Sequence, residues 1–473
     1  MGEALPNSPH AVSVALPRWK DIIDYEEKDP NCLKALKSIY PRFGFNPLIS
    51  RLSKKALQVN EFPTGQCWPY PNLISAKKAQ FYCEENSIGA LDIFKMDELF
   101  FLYADELSIS AAQAFWQHTG LGASSREAAI ALNLEKAPSK IVSKLAKNKI
   151  KNTLANIYKC PSSMIKLVPS GMAALNLALE SIKVLKKQSK FMQIGFPYVD
   201  VLKLPKVIFN GCDLILAEKK EILESEIKKK LPAGIIIELP SNPMLKCVDI
   251  KMVSQIARSN GIPLIIDDTI GSSLNIDTLH FADLIFTSLT KSFAGTGDVM
   301  AGSLVVSPFS KWKNELIEIV NQNHTTHLSD PDSIALEKGS RNLTHRIKRL
   351  NDSCLEIKNH FEKHPKVSKV LHPENCKNFN SILKKGGGFG CLFSFELEGG
   401  LSAAKKFYDN LKLNKGPSLG TNFTLVSPYV MLAHYKELEW AESCGVPPSL
   451  LRVSVGLENT QLLWKIFKEA LDS

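Results

Sequence analysis

Features that would assign this chain to a specialised class are missing from its 473 residues. No apolar run reaches the roughly 18 residues expected of a membrane span, and no basic segment followed by an apolar one marks the N-terminus for export or import. The ten cysteines include no C-x-x-C pair and no His/Cys spacing typical of a metal site, which favours reduced thiols over a disulfide framework. We therefore expect a cytoplasmic protein with no membrane contact and no bound metal.

The composition is that of a globular protein, with 44% apolar and 22% charged residues. A chain of this length exceeds one compact core and predicts two or three domains. The net charge of +10 raises the question of nucleic acid, but the lysines are spread along helices without interleaved aromatic residues. A solvated basic face that favours small anions is the better interpretation, so we expect small-molecule substrates and no nucleic-acid partner.

The strand and helix signals divide the chain into three parts. Residues 1–148 form an N-terminal extension in which prolines separate short helical stretches, for example over residues 95–107. Residues 149–330 alternate apolar strands with helices, which predicts an α/β large domain whose mostly parallel sheet is buried on both faces. Residues 331–473 begin with a long amphipathic helix over residues 341–358 and continue as a smaller α+β C-terminal domain.

The most informative segment places an acid and an amine at the ends of two strands. Asp267 ends the run P-L-I-I-D, and Lys291 lies 24 residues later, just after Ser288 and Thr290. An acid and a lysine at neighbouring strand ends could form a buried ion pair. The two hydroxyls beside the lysine instead suit a phosphate. An amine, an acid and a phosphate site are the groups that hold pyridoxal phosphate, whose aldehyde binds a lysine and whose ring nitrogen binds an acid.

Three further segments supply candidate contacts to the same cofactor. Ser170, Gly171 and Met172 open a helix directly after a strand, where free N–H groups bind anions, although a serine there is also an ordinary N-cap. Tyr198, in G-F-P-Y, suits stacking on an aromatic ring, with a core tyrosine nearly as good an interpretation. Asn242, in P-S-N-P, could donate to a phenolate oxygen or could serve only as a turn residue.

Arg452 is a cation within an apolar run, L-L-R-V-S-V, and its burial requires an anionic partner. A substrate carboxylate suits the two-pronged guanidinium. A structural pair with Glu458 or another acid is the equal alternative. His118 and His434 have no partners at a spacing that suits a metal, so we interpret both as structural histidines.

These residues, in this order, resemble the Cys/Met-metabolism family of pyridoxal-phosphate enzymes. The matching strings are S-G-M, P-S-N-P, D-D-T, S-L-T-K-S, G-D-V-M-A-G, P-S-L-G-T-N and R-V-S-V-G-L-E. N-terminal strings such as Y-P-R-F and A-F-W-Q-H-T-G are similar to the fungal cystathionine-forming subgroup.

The resemblance implies a fold type I transferase and a role for each candidate residue. Lys291 would bind the cofactor aldehyde and shuttle protons, and Asp267 would pair with the ring nitrogen. Tyr198 would stack on the ring and Asn242 would contact its phenolate oxygen. The phosphate would be held by Ser170, Gly171, Met172, Ser288 and Thr290. The substrate amino acid would be bound by Ser418 and Arg452.

One motif departs from the family pattern. Other members carry a Tyr-x-Arg motif whose arginine reaches the phosphate of a neighbouring subunit. Ser124-Ser125-Arg126 is the equivalent we favour, with serine in place of tyrosine. Tyr40-Pro41-Arg42, followed by Asn46-Pro47, matches the motif better but lies far upstream of Ser170.

The resemblance further implies γ-replacement, in which cystathionine forms from an O-acylhomoserine and cysteine for methionine biosynthesis. A γ-lyase or an O-acylhomoserine sulfhydrylase is the alternative within the family. A non-catalytic paralogue that binds cofactor or a partner protein is the alternative from another class. The family resemblance also predicts a homo-oligomer, either a dimer or a tetramer.

Overall fold

Helices and two small antiparallel sheets precede the central sheet. The computed structural model describes residues 1–186, 190–217 and 219–473. In chain order the first elements are β1 (Ala4–Leu5), β2 (Ser13–Val14), α1 (Trp19–Glu26), α2 (Pro30–Ala35), α3 (Pro47–Val59), β3 (Gln66–Tyr70), α4 (Leu73–Asn86), β4 (Leu91–Met96), β5 (Leu99–Ala104), α5 (Ile109–Thr119), α6 (Ser125–Ala131) and α7 (Lys140–Tyr158).

The helical prediction for residues 95–107 is wrong, because this segment forms most of a β-hairpin. Strands β4 and β5 pair antiparallel as far as Met96 and Leu99, and Asp97 in the turn has a φ of 54°. Strand β5 is the middle strand of the sheet β3-β5-β4 and is buried on both faces. Its apolar run L-F-F-L-Y-A therefore lacks the alternation by which a half-buried strand is recognised.

The centre of the molecule is a sheet that contains seven strands within the described residues. Its order is β6-β12-β11-β10-β9-β7-β8, and only β12 runs antiparallel to its neighbours. The strands are β6 (Ile165–Val168), β7 (Phe191–Ile194), β8 (Cys212–Ile215), β9 (Ile235–Glu238), β10 (Leu264–Asp267), β11 (Leu284–Ser288) and β12 (Gly302–Val306). The helices between and after them are α8 (Gly171–Leu185), α9 (Val199–Val207), α10 (Lys220–Lys230), α11 (Ile250–Ser259) and α12 (Lys313–Asn323).

Both faces of this sheet are buried. Ile235 and Ile237 of β9 belong to the core cluster on one face, while Ile236 between them belongs to the cluster on the other face. Burial on both sides requires near-continuous apolar strands, so the predicted mostly parallel α/β sheet is confirmed. The parallel strands β9, β10 and β11 end at Glu238, Asp267 and Ser288, and these ends meet at one edge of the sheet.

The C-terminal part contains a second, antiparallel sheet in the order β13-β14-β16-β15. Helix α14 confirms the long helix expected near residues 341–358. The elements are α13 (Asp330–Ser340), α14 (Leu343–Glu362), β13 (Val367–Leu371), α15 (Lys377–Asn380), β14 (Leu392–Leu397), α16 (Gly400–Asn410), β15 (Leu425–Pro428), α17 (Tyr429–Ala433), α18 (Leu438–Ser443), β16 (Leu451–Ser454) and α19 (Thr460–Asp472). Within the described ranges, no helix combines the length and apolar character needed to cross a membrane.

The N-terminal residues pack against two different parts of the molecule. Leu16, Trp19 and Ile22 lie in the same core as Phe361 and Phe393 of the C-terminal part. Helix α3, in contrast, packs against β3 and α6. Helix α7 runs across the expected boundary at residues 148 and 149. The proposed division at residues 148 and 330 stays a prediction.

Candidate active site

A cavity of about 200 Å³ lies at the carboxyl edge of the central sheet, between that sheet and the C-terminal part. All the predicted site residues except Arg126 line it. They are Ser170, Gly171, Met172, Tyr198, Asn242, Asp267, Ser288, Thr290, Lys291, Ser418 and Arg452. Residues from seven separate segments of the sequence therefore meet in one place, which is expected for a ligand site at the strand ends of an α/β sheet.

The Lys291 amine lies among hydroxyl groups. Its Nζ donates to Ser418 Oγ at 3.0 Å and to the Tyr40 hydroxyl at 3.3 Å. Ser418 has a φ of 95°, a conformation that is rare for a residue with a side chain and that clusters at ligand sites. No described carboxylate lies within salt-bridge distance of this amine, so the alternative of a buried Asp267–Lys291 ion pair is not realised.

Two carboxyl groups occupy neighbouring strand ends. Asp267 of β10 and Glu238 of β9 are register partners. Burial raises the pKa of Asp267 to about 7 and raises the pKa of Glu238 well above its ordinary value. Glu238 accepts hydrogen bonds from the backbone N–H groups of Tyr198 at 2.9 Å and Asn242 at 3.0 Å. Asp267 accepts from Thr269 N at 2.9 Å and lines the cavity, so a protonated ring nitrogen would suit its carboxyl group.

The next residue, Asp268, points away from the cavity. Its two oxygens accept from the Tyr158 hydroxyl at 2.7 Å and from Thr287 Oγ1 at 2.6 Å. Because successive side chains at a strand end face opposite sides, the pair D-D contains one cavity residue and one structural residue.

The N-terminus of α8 and the end of β11 form a narrow cradle. A Cβ atom added at Gly171 would lie 2.7 Å from the Cβ of Ser288, so only glycine allows this approach. Ser170 accepts from Ala173 N at 3.0 Å and is therefore also the helix N-cap. Thr290 exchanges hydrogen bonds with the backbone of Ala301. Free N–H groups at the start of α8 remain available to an anion such as a phosphate.

Arg452 is a buried cation in need of an anion. Its guanidinium donates to Asn242 Oδ1 at 2.9 Å and to the backbone oxygen of Ser418 at 2.8 Å. Burial lowers its pKa. The alternative partner Glu458 is engaged elsewhere, by the N–H and the hydroxyl of Thr424. In the part of the chain that the structure describes, no acid lies within salt-bridge distance of Arg452, which leaves it available to a ligand carboxylate.

Arg126 lies outside the cavity of its own chain. It donates to Asp332 Oδ1 at 3.0 Å and to the backbone oxygen of Asp298 at 2.7 Å. Arg42 lines the cavity instead, where its guanidinium contacts Leu432 O and lies 4.0 Å from Asp200. Within one chain, the upstream motif Tyr40-Pro41-Arg42 therefore supplies a tyrosine and an arginine to the wall of the cavity. The contact of Arg126 with a neighbouring subunit stays a prediction.

Other cavity groups were missed by sequence reasoning. Tyr40 had a signal in the string Y-P-R, but its distance along the chain argued against it. Glu238 precedes P-S-N-P and had no signal beyond its position at a strand end.

Asp200 accepts from the Tyr198 hydroxyl at 2.8 Å, and His118, interpreted as structural, lies 3.3 Å from Asp200. His434 lies 2.8 Å from Glu437 and packs among aromatic rings.

Comparison with known proteins identifies the class of this fold and site. The family described as Cys/Met metabolism PLP-dependent enzyme matches residues 142–472, and the chain belongs to this family. It is therefore a pyridoxal-phosphate-dependent enzyme with the fold of that family.

All ten cysteines are free in the structure.

The relatives include fungal and bacterial proteins. A putative cystathionine gamma-synthase of Saccharomyces cerevisiae is 29% identical over 100% of this chain and 98% of its own length. A cystathionine gamma-synthase of Neurospora crassa is 35% identical over 69% of this chain and 55% of its own length. The solved cystathionine gamma synthase of Xanthomonas oryzae, in complex with aminoacrylate and cysteine, is 25% identical with a TM-score of 0.62. That likeness covers 72% of this chain and 88% of the Xanthomonas chain.

The residues present fit pyridoxal phosphate. The amine of Lys291, the protonatable carboxyl of Asp267 and the cradle at Gly171 line one cavity. They match the aldehyde, the ring nitrogen and the phosphate of the cofactor respectively.

Proposed function

We propose that this enzyme catalyses a γ-replacement that forms cystathionine from an O-acylhomoserine and cysteine. The observation that carries the proposal is Arg452, a buried cation without an acidic partner among the described residues, in the same cavity as Lys291 and Asp267. Such a cation suits the carboxylate of an amino-acid substrate. The names of the fungal and bacterial relatives support the choice of reaction.

The bound cofactor supplies an electron sink for carbanions at the substrate. In the proposed site Lys291 holds the cofactor and moves protons at the substrate carbon atoms. Asp267 pairs with the ring nitrogen, and Tyr198 covers the ring. The substrate carboxylate binds between Arg452 and Ser418. Asn242 lines the cavity, and its N–H₂ group is left as the donor to the cofactor because its Oδ1 already accepts from Arg452.

Two hydroxyl groups accept hydrogen bonds from the Lys291 amine. Tyr40 and Ser418 both lie within about hydrogen-bond distance of Nζ. Burial acts to raise the pKa of Tyr40, but the positive charge of Lys291 lowers it overall. We assign Tyr40 as a proton-exchanging neighbour of Lys291, a group that the sequence motif alone did not place there.

The cellular context belongs to the same proposal. The protein acts in the cytoplasm in methionine biosynthesis and assembles as a homo-oligomer, a dimer or a tetramer. The phosphate in each site is contacted by Ser170, Gly171, Met172, Ser288 and Thr290, with Arg42 or Arg126 as the cationic contact.

The first test is covalent trapping of the cofactor. The purified protein is expected to absorb visible light and, after borohydride reduction and digestion, to carry a pyridoxyl mass on the peptide that contains Lys291. Lys384 is a matched control, since its Nζ is partly buried and donates to backbone oxygens outside this cavity. Lys291→Ala should lose the label and Lys384→Ala should keep it. Absence of the label from the Lys291 peptide would remove the chemical basis of the proposal.

The second test identifies the reaction. Purified enzyme is supplied with O-acetyl- or O-succinylhomoserine, with cysteine or sulfide, and the products are separated. Cystathionine is the expected product with cysteine. Ammonia and a keto acid in its place would identify a γ-lyase, and homocysteine from sulfide alone would identify a sulfhydrylase. No turnover at all, together with partner binding that survives Lys291→Ala, would identify a non-catalytic paralogue.

A further inference from the structure

A continuous series of buried polar groups connects Lys291 to a histidine and an aspartate on two helices. The Tyr40 hydroxyl lies 3.3 Å from Lys291 Nζ and 3.4 Å from the Tyr198 hydroxyl. The Tyr198 hydroxyl lies 2.8 Å from Asp200 Oδ2, and the other oxygen of Asp200 lies 3.3 Å from His118 Nδ1. Asp200 is in the first turn of α9 and His118 is in the last turn of α5.

The charge state of Asp200 determines the direction of these hydrogen bonds. Asp200 is only 2% exposed. Burial acts to raise its pKa, but the contact with His118 and the charge of Arg42 hold its pKa below the ordinary value. An ionised carboxylate can only accept. The Tyr198 hydroxyl must therefore donate to Asp200, and its oxygen is left as an acceptor.

The same reasoning extends to Lys291. Because the Tyr198 oxygen accepts, the Tyr40 hydroxyl can donate to it and keep its own oxygen free. Burial raises the pKa of Tyr198 well above its ordinary value, so Tyr198 keeps the proton that it donates. The free oxygen of Tyr40 then faces the N–H groups of Lys291. Every donor in the series points from Lys291 toward Asp200.

We propose that His118 and Asp200 are positioning residues, which hold Tyr198 as a donor and thereby direct the Tyr40 oxygen toward Lys291. Both act on Lys291 through the two tyrosines that lie between. The role rests on the proposed assignment of Lys291 as the cofactor-binding lysine. It goes beyond the proposed reaction, because it concerns how the amine is oriented whichever substrate is used.

Other charges also act on this series. Arg42 and Glu26 face it from the N-terminal segment, Asp267 and Glu238 from the sheet edge, and Arg452 from β16. These groups are unchanged in a variant of Asp200. A change in Asp200 can therefore be separated from their constant effect.

The test is a pH titration of the visible spectrum of the cofactor-loaded protein. The spectral midpoint reports the proton on the nitrogen of Lys291. Asp200→Asn removes a negative charge that is separated from this nitrogen by two hydroxyl groups, which should lower this midpoint by about 0.5 to 1 pH unit. Tyr40→Phe, which removes the hydroxyl next to the amine, should move the midpoint further than Asp200→Asn does.

Asp283→Asn is the matched control for the loss of a buried carboxylate. Asp283 accepts from Ser310 Oγ at 2.6 Å and from Leu264 N at 2.8 Å and does not line the cavity. This variant should lower the denaturation midpoint without moving the spectral midpoint. The inference would be overturned if the spectral midpoint of Asp200→Asn moved upward, or moved no further than that of Asp283→Asn. Asp200 would then be an ordinary buried residue of the packing.

A pair of His118 variants keeps the inference testable should Asp200→Asn fail to fold. Gln at position 118 offers an N–H group to the Asp200 oxygen that lies 3.3 Å from His118 Nδ1, whereas Ala offers none. The rate of the spectral change on mixing with an amino-acid ligand should fall at least tenfold in His118→Ala and recover to within about threefold of wild type in His118→Gln. Equal rates in the two variants would contradict the positioning role. Because both readouts follow the cofactor spectrum, they do not depend on whether cystathionine is the product.

Discussion

Replacing Arg452 by lysine separates geometry from charge at the proposed carboxylate site. Arginine here lines the cavity and donates at 2.9 Å and 2.8 Å to two fixed acceptors, which leaves its remaining N–H groups for a ligand. Lysine keeps the positive charge but not the planar fork. We expect the loss of about one charge-assisted hydrogen bond to the substrate carboxylate, or about 1.5–3 kcal/mol. That corresponds to a rise of about 10- to 100-fold in KM for the acyl donor, since about 1.4 kcal/mol is tenfold.

The measurement is steady-state kinetics with the acyl donor varied, together with the cofactor spectrum. Arg349→Lys is the matched control, because Arg349 is exposed and donates to the backbone oxygen of Leu457 at 2.5 Å, away from the cavity. Cofactor binding should be unchanged in both variants. A change of less than threefold in KM for Arg452→Lys, or an equal change in the control, would refute the assignment of Arg452 to the substrate carboxylate.

Three further outcomes follow from the same site. Burial raises the pKa of Asp267 from 3.8 to about 7, so the folded cofactor-free protein holds a proton that the unfolded chain releases. Its free energy of unfolding should therefore decrease as the pH rises from about 4 to about 7. The decrease should be smaller in Asp267→Asn when both proteins are measured by denaturant unfolding, and an equal decrease would contradict this. Gly171→Ala places a Cβ 2.7 Å from Ser288 and should weaken cofactor binding at least tenfold in a fluorescence titration, whereas unchanged affinity would exclude this cradle. A cavity of about 1110 Å³ adjoins the site and is lined by Lys54 and Lys55, among other cations. Replacing both by glutamate should lower kcat/KM for an anionic acyl donor at low salt but not at high salt, and a salt-independent loss would argue against electrostatic guidance.

The central sheet and most of its cavity residues were predictable from local signals. Each parallel strand is a short apolar run, and the polar residue that ends it lies at a known edge of the sheet. Asp267 and Lys291 could be brought together because β10 and β11 are neighbours both in sequence and in the sheet. Ser170 and Gly171 were predictable because a glycine at a helix start follows a strand. These inferences needed only short-range pattern and the rule that parallel strand ends share an edge.

The contribution of the N-terminal residues could not be predicted in this way. Tyr40 and Lys291 are 251 residues apart, and nothing local determines which of two arginine motifs folds back to the cavity. His118 had no partner nearby in the sequence, so a structural role was the natural interpretation. The hairpin formed by β4 and β5 was missed because a central strand buried on both faces carries no alternation. In each case the deciding contact is tertiary and is made by residues far apart in the chain.

The anchoring of Tyr40 explains why the first residues belong to the active site. Tyr25, which packs in the core of the C-terminal part, receives a hydrogen bond from Tyr40 N at 3.3 Å. Trp19 lies edge-on to Tyr408 of the same core, with ring centroids 5.9 Å apart. The segment that carries Tyr40 is thus fixed to the C-terminal part, whereas Lys291 is fixed to the central sheet. The distance between the two groups depends on how these two parts pack together. A displacement of the N-terminal segment would therefore change the surroundings of Lys291 without altering any residue of the large domain.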